Sequence, residues 1–279
     1  MHSRCCSCLY VLPWGQMSFW GEINCPTCIA LYSILSSSIL SVKISTMLIP
    51  FNKPSTKSVK RIGPHNKDVY SIIFGSLLGD GYAEKRAGGT RIQFAQENSH
   101  GAYALWLAQR LADAGYRSTQ PLEISTRLGV GGKVRFLYRF RTYTFSSFNV
   151  FYEMFYCQRT LYLQPNTVTA ENIYLKNRKI VPSLTDLKLY LTPLALAIWI
   201  MDDGTQSGKG LKLCTNCFTK TEVQTLCDVL GEIYNLKATV NSAGVEHQYV
   251  IYISSHSMCL LKEIVETHME PSMKYKLGY

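Results

Sequence analysis

Two stretches of this 279-residue chain repeat one pattern, and that pattern limits the fold more than any other feature. The first is Tyr70-Ser-Ile-Ile-Phe-Gly-Ser-Leu-Leu-Gly-Asp80-Gly81, and the second is Leu194-Ala-Leu-Ala-Ile-Trp-Ile-Met-Asp202-Asp203-Gly204. Each is an apolar run that closes on Asp-Gly. Their acidic ends lie 123 residues apart (80 to 203), the length of a small domain. After each run come a polar turn, alternating strand-like segments and an amphipathic helix, Ala102 to Leu111 in the first case and Glu222 to Leu230 in the second. The chain therefore reads as a duplicated unit.

Helix-start chemistry marks the second run. Thr192 can cap it, and Pro193 suits the first helical position, where a missing N–H costs nothing. Gly81 and Gly204 read as helix stops. Gly75 and Gly79 lie one turn apart on one face, where another helix backbone could approach closely. Parallel packing of the two runs would bring Asp80 and Asp203 together. Two neighbouring carboxylates are costly unless positive charge joins them. A hard divalent cation such as Mg²⁺ fits, because it takes oxygen ligands and keeps waters or phosphate oxygens in its shell.

Phe74-Gly-Ser-Leu-Leu-Gly-Asp80-Gly81 and Leu196-Ala-Ile-Trp-Ile-Met-Asp202-Asp203-Gly204 resemble the signature helices of the LAGLIDADG homing endonucleases, in the two-motif, single-chain type of organellar introns. Further segments are similar: Lys179-Ile-Val-Pro182, Tyr190-Leu-Thr-Pro193, Leu213-Cys-Thr-Asn-Cys-Phe-Thr219 and Pro271-Ser-Met-Lys-Tyr-Lys276. The resemblance runs from about residue 62 to the end. It implies an α+β fold of two pseudo-symmetric αββαββα repeats, whose antiparallel sheets form a saddle around a two-helix interface. It implies a site-specific double-strand DNA endonuclease that acts as a monomer with Mg²⁺, for which Mn²⁺ could substitute. Asp80 and Asp203 would hold the metals, with Gly79 and Asp202 beside them; Asp202 is read as a helix-end residue of lesser role. Lys179 and Lys276 are candidates to polarise water or steady phosphate charge. Gln96 and Asn216 fall where the family places a polar side chain near the metals, although Gln93 could take the first of these roles.

Net charge is +10, which favours an anionic partner, and a 47% hydrophobic composition excludes a disordered basic tail. Lys133, Arg135, Arg139 and Arg141 alternate with Val134, Phe136, Tyr138 and Phe140, as in a strand with one cationic and one core-facing side. Gly129-Val-Gly-Gly132 supplies a turn from a preceding strand near Glu123 to Arg127. Arg91 could join this surface, which suits a ribbon in the major groove of DNA. In the second unit, Lys237 to Asn241 and Tyr249 to Ile253 look like the matching hairpin with fewer charges.

Residues 1–60 have no counterpart in the family and read as a poorly ordered extension, followed by repeats at 61–168 and 169–279. The extension carries Arg4, Lys43, Lys53, Lys57 and Lys60 against Glu22, which leaves +6 on the rest. Cys5, Cys8, Cys25 and Cys28 match a four-thiolate zinc spacing, but the apolar stretch between the pairs favours reduced, non-ligating cysteines. Residues 29–49 are serine-rich and carry Lys43, marginal for a membrane span, so no stable membrane association is expected. Mitochondrial localisation, rather than chloroplast, follows from the resemblance. The main competing reading is an RNA maturase that assists splicing of its host intron on the same basic surface. A zinc-ribbon adaptor built on the early cysteines would leave the duplication unexplained.

Overall fold

A computed structural model describes residues 56–156 and 178–278 of the chain. All of them fall within one compact unit, Ile49–Tyr279. Cys5, Cys8, Cys25, Cys28 and the 29–49 stretch lie outside the described residues.

The element order repeats. The first half runs α1 (Lys67–Leu78), β1 (Tyr82–Arg86), β2 (Gly89–Glu97), α2 (Gly101–Asp113), β3 (Glu123–Leu128), β4 (Val134–Arg141) and α3 (Asn149–Tyr156). A short helix, α4 (Leu184–Tyr190), leads into the second half. That half runs α5 (Pro193–Asp203), β5 (Gly204–Ser207), β6 (Gly210–Cys214), α6 (Lys220–Tyr234), β7 (Ala238–Ser242), β8 (Tyr249–Ile253) and α7 (Met258–Val265). Each half is thus an αββαββα unit. Its four antiparallel strands take one order, β1-β2-β4-β3 in the first sheet and β5-β6-β8-β7 in the second.

The two motif helices form the shared centre. Every residue of α5 from Leu194 to Met201 is buried, as is α1 from Ser71 to Leu78. A helix that is apolar all round cannot lie on a surface, so each buries the other. Asn66 caps α1 through Asp68 N–H at 2.7 Å, and Thr192 caps α5 through Ala195 N–H at 3.2 Å. A hydroxyl pair, Thr192 Oγ1 to Ser71 Oγ at 2.7 Å, ties the two helix starts together.

The glycines act through space rather than through unusual backbone angles. A Cβ at Gly75 would strike the Ala195 carbonyl and come within 2.9 Å of Ile198 Cβ. Gly204 has an ordinary φ of −74° and sits against Ile200, while Gly81 sits against Ser76. Helix α5 does stop at Gly204, its C-cap, while α1 stops at Gly79, two residues ahead of Gly81, and both Gly81 and Gly204 are also close-approach positions. The β3–β4 turn does use left-handed glycines, with φ of 74° at Gly131 and 75° at Gly132.

One expectation about β4 fails in part. Phe140 is buried and Tyr138 half-buried, but Val134 and Phe136 are each 51% exposed. Alternation assigns those side chains to one face correctly; the core simply ends before the tip of the hairpin.

Candidate active site

The packed helices deliver their acidic ends to one place. Gln96, buried at the end of β2, shows it directly: its Nε2 donates to Asp80 Oδ2 at 3.3 Å and to Asp202 Oδ1 at 3.0 Å. The Tyr103 hydroxyl on α2 donates to the same Asp202 oxygen at 2.9 Å. Gly79 makes room for this arrangement, since a Cβ there would lie 2.6 Å from Asp202 Cβ and 2.9 Å from its Oδ2.

Two ammonium groups close the site on equivalent main-chain positions. Lys179 Nζ donates to the Gly79 carbonyl at 2.6 Å. Lys276 Nζ donates to the Met201 carbonyl at 2.5 Å and to that of Asp202 at 3.2 Å. Gly79 and Asp202 are themselves 123 residues apart, so each lysine serves one motif. Their carbonyls are the positions at which the sequence places two of the candidate metal oxygens.

The electrostatics are those of a crowded acidic cluster at the end of the helix pair, with Asp80 exposed and Asp202 and Asp203 half-buried. Burial, followed by the charge of Asp80, lifts the Asp203 carboxyl to about 7. Burial also raises Asp80, against the opposing pull of Lys179, Gln96 and Lys276. Asp202 goes well above the ordinary carboxylate range, from burial and then from its two acidic neighbours. Burial lowers Lys179 and Lys276. The carboxyls therefore resist ionising side by side, and a cation placed between them would favour their charged form. No group of three or more His, Cys, Asp or Glu side chains forms a ready metal cage among the described residues. Asp80 and Asp203 suit the sparser Mg²⁺ pattern, in which one or two carboxylates are completed by water and substrate phosphate.

Comparison with known proteins agrees with this centre. Residues 70–169 and 160–261 match the LAGLIDADG DNA endonuclease family, once for each half. This chain belongs to that family. It is 40% identical over 303 residues to the cytochrome b mRNA maturase bI2 of Saccharomyces cerevisiae, covering 96% of this chain and 68% of that protein. It is also 40% identical to the intron-encoded endonuclease ai4 of Dictyostelium discoideum, over 50% of this chain and 77% of the relative. Among solved structures, the homing endonuclease I-WcaI bound to its DNA recognition sequence superposes with a TM-score of 0.61 at 26% identity, covering 80% of this chain and 93% of that one.

The LAGLIDADG halves are not equivalent around their acids. Gln96, rather than Gln93, reaches the centre; Gln93 donates to Glu84 on the opposite face of the sheet. Asn216 does not reach it and is exposed in the turn after β6. The hairpin lengths explain this. Tyr82 faces Gln93, whereas Thr205, its counterpart 123 residues on, faces Lys212. The separation falls from 11 residues (82 to 93) to 7 (205 to 212), so the counterpart of Gln96 is Thr215. Thr215 is buried and donates instead to the Tyr249 carbonyl at 2.7 Å.

Sequence reasoning missed Tyr103 and His100. Tyr103 counts as one more aromatic on the buried face of α2, and nothing in the pattern marks its hydroxyl. His100 lies close enough to influence Asp80 and approaches the Tyr275 hydroxyl at 3.3 Å.

The proposed DNA residues of the first repeat lie along the outward face of its sheet, but most have partners. Arg91 pairs with Glu84 at 2.6 Å, Arg135 with Glu97 at 3.2 Å and Arg141 with Glu123 at 3.1 Å. Lys133 and Arg139 are exposed and enter no ion pair among the described residues. Lys237 is exposed just ahead of β7. Among the described residues no single helix is long and apolar enough to cross a membrane.

Proposed function

We propose that this protein is an intron-homing endonuclease that cuts both strands of a specific DNA site with divalent metal held by Asp80 and Asp203. The observation that supports this most is the meeting of one acidic helix end from each repeat above two sheets of a basic chain. Mg²⁺, once bound, would stabilise the attacking and leaving oxygens of phosphodiester hydrolysis and supply a water nucleophile. The chain's own groups prepare that site. Asp80 and Asp203 provide the oxygen ligands, and their partial exposure leaves room for water and substrate phosphate. Lys179 and Lys276 hold the motif carbonyls in place and lower the charge repulsion among the carboxylates. Gln96 orients Asp80 by its amide. Asp202, engaged by Tyr103 and Gln96, supports the ligand pair from within the helix interface.

The test uses purified protein and a randomised duplex library. Cut sites are expected to accumulate with Mg²⁺ or Mn²⁺ and not with a chelator. Asp80→Asn and Asp203→Asn should each slow cutting on the order of 10³-fold while DNA binding persists. Unimpaired cutting by either variant overturns the assignment.

A second reading, assistance in splicing the host intron RNA, is supported by the names of two relatives, the bI2 cytochrome b mRNA maturases of Saccharomyces cerevisiae and Debaryomyces hansenii. Splicing assayed with and without the protein decides it, and an unchanged rate removes it. Those names also support a mitochondrial setting, and monomeric action follows from both repeats lying in one chain.

A further inference from the structure

The two sheets differ at one edge. By the shared strand order, β3 closes the first sheet and β7 the second, each bonded on one side only. β7 is backed by α6, whereas β3 is held chiefly by β4, and five of its six residues are exposed. Such an edge offers a row of unpaired N–H and C=O groups to any strand that can lie beside it. The opposite edge strand, β1, is guarded by Lys85 and Arg86; β3 has neither lysine nor proline.

Three features of β3 are left unanswered within the chain. Arg127 is exposed, faces Arg135 directly across the ladder, and enters no ion pair among the described residues. Like charges directly opposite are destabilising. The Ser125 hydroxyl is buried and has no hydrogen-bond partner among the described residues, which costs free energy until something bonds it. Ile124 and Leu128 are 65% and 73% exposed, on the same face as the exposed Val134 and Phe136.

The order of the residues supplies a partner. A second β3 laid antiparallel about a twofold axis through Ser125 sets Arg127 opposite Glu123 of the second copy, twice by symmetry. Ile124 then meets Thr126, and the two Ser125 hydroxyls meet on the axis. A register shifted by one residue would set Glu123 against Leu128 and turn one copy's apolar side towards the other's charged side. One register therefore answers the charge, the hydroxyl and the apolar side chains together.

We infer that β3 is a self-association edge: two copies of this chain join by antiparallel β3 pairing centred on Ser125, with Glu123 and Arg127 as cross-strand ion pairs. The interface is isologous, so it closes at two copies. Their first sheets become one, with the charged faces on one side and the apolar strips continuous on the other. Each copy keeps both of its motif helices, so this association goes beyond the proposed cutting reaction and does not depend on it.

Sedimentation equilibrium of the full-length chain tests it. The wild type should show a monomer–dimer equilibrium below about 100 μM. Arg127→Glu sets like charges against each other twice and should weaken the dimer by about tenfold. Adding Glu123→Arg to the same chain restores complementarity and should return the dissociation constant to within about threefold of the wild type. Lys220→Glu, an exposed change of the same charge at the start of α6, should leave it unaltered. Hydrogen exchange of the wild type needs no variant: the β3 amides should be protected at high protein concentration and not at low. A chain that stays monomeric up to about 100 μM overturns the proposal. So does a dimer that Arg127→Glu leaves as tight, which assembles through another surface, and so do β3 amides protected at every concentration, which something else covers. A double variant no tighter than Arg127→Glu overturns the register.

Discussion

The two halves share a backbone and differ in almost every polar detail near the acids. Where the first motif has Gly79, the second has Asp202; where the first has Gln96, the second has Thr215. The first sheet carries Arg91, Arg135, Arg139 and Arg141 on its outward face, and the second has Thr205 and Lys212 there. Duplication thus preserved what packing demands, while the side chains that touch charge diverged. The small residue at Gly79 and the large one at Asp202 are a single solution, because only one side chain fits between the helices at that level.

Gly79→Ala attacks that solution directly. It should cost about 1–3 kcal/mol by overpacking, read from the urea midpoint. Asp202→Gly in the same chain should restore much of the loss, since it removes the Cβ and carboxylate atoms that the new methyl strikes, whereas Asp202→Ala keeps the Cβ 2.6 Å away. Additive effects would mean that the two positions are not coupled.

Gln96→Ala probes the polar asymmetry. It removes the amide from Asp80 and from Asp202 and takes no bond from Asp203, so the strand cut through Asp80 should slow by about tenfold, roughly 1.4 kcal/mol, and nicked duplex should accumulate. Thr215→Ala should instead lower stability by about 1 kcal/mol through the lost bond to the Tyr249 carbonyl, with both strands cut in balance. Equal nicking by the two variants would erase the distinction between the halves.

The smallest effect concerns acid. His65, ahead of α1, bonds Tyr116 Oη at 2.9 Å and Ser147 Oγ at 2.6 Å, and burial lowers its pKa to about 4. Its counterpart Lys188 is solvated and paired with Glu232 at 2.6 Å. Between an unfolded value of about 6.5 and a folded value of about 4, the unfolded chain takes up a proton that the fold refuses. That contribution is complete above about pH 6.5 and is lost as pH falls towards 4. Melting temperatures of His65→Gln should therefore depend less on pH across that window than those of the wild type.

Much of this was legible in the amino acids. The motif helices, the Thr192–Pro193 start and the β3–β4 hairpin all follow from periodicity and turn chemistry, which are local. The pairing of Asp80 with Asp203 followed from duplication. What escaped depended on lengths and coverage that no single segment states. The shorter β5–β6 hairpin moved Thr215, not Asn216, into the place opposite Gln96. Val134 and Phe136 have the right parity for a core, yet nothing in their own strand reveals that the core stops short of them. Asp202 looked peripheral because a helix end is usually wet, and only the space left by Gly79 on the other helix draws it inside.

Lys276 lies 73 residues beyond Asp203 (203 to 276), yet it is the group that fastens the carbonyls of Met201 and Asp202. A nascent polypeptide halted anywhere between them already displays both acids but lacks one of the two cations that restrain their repulsion. Fastening of the second motif's helix end is thereby deferred until almost the whole of the second repeat has been synthesised.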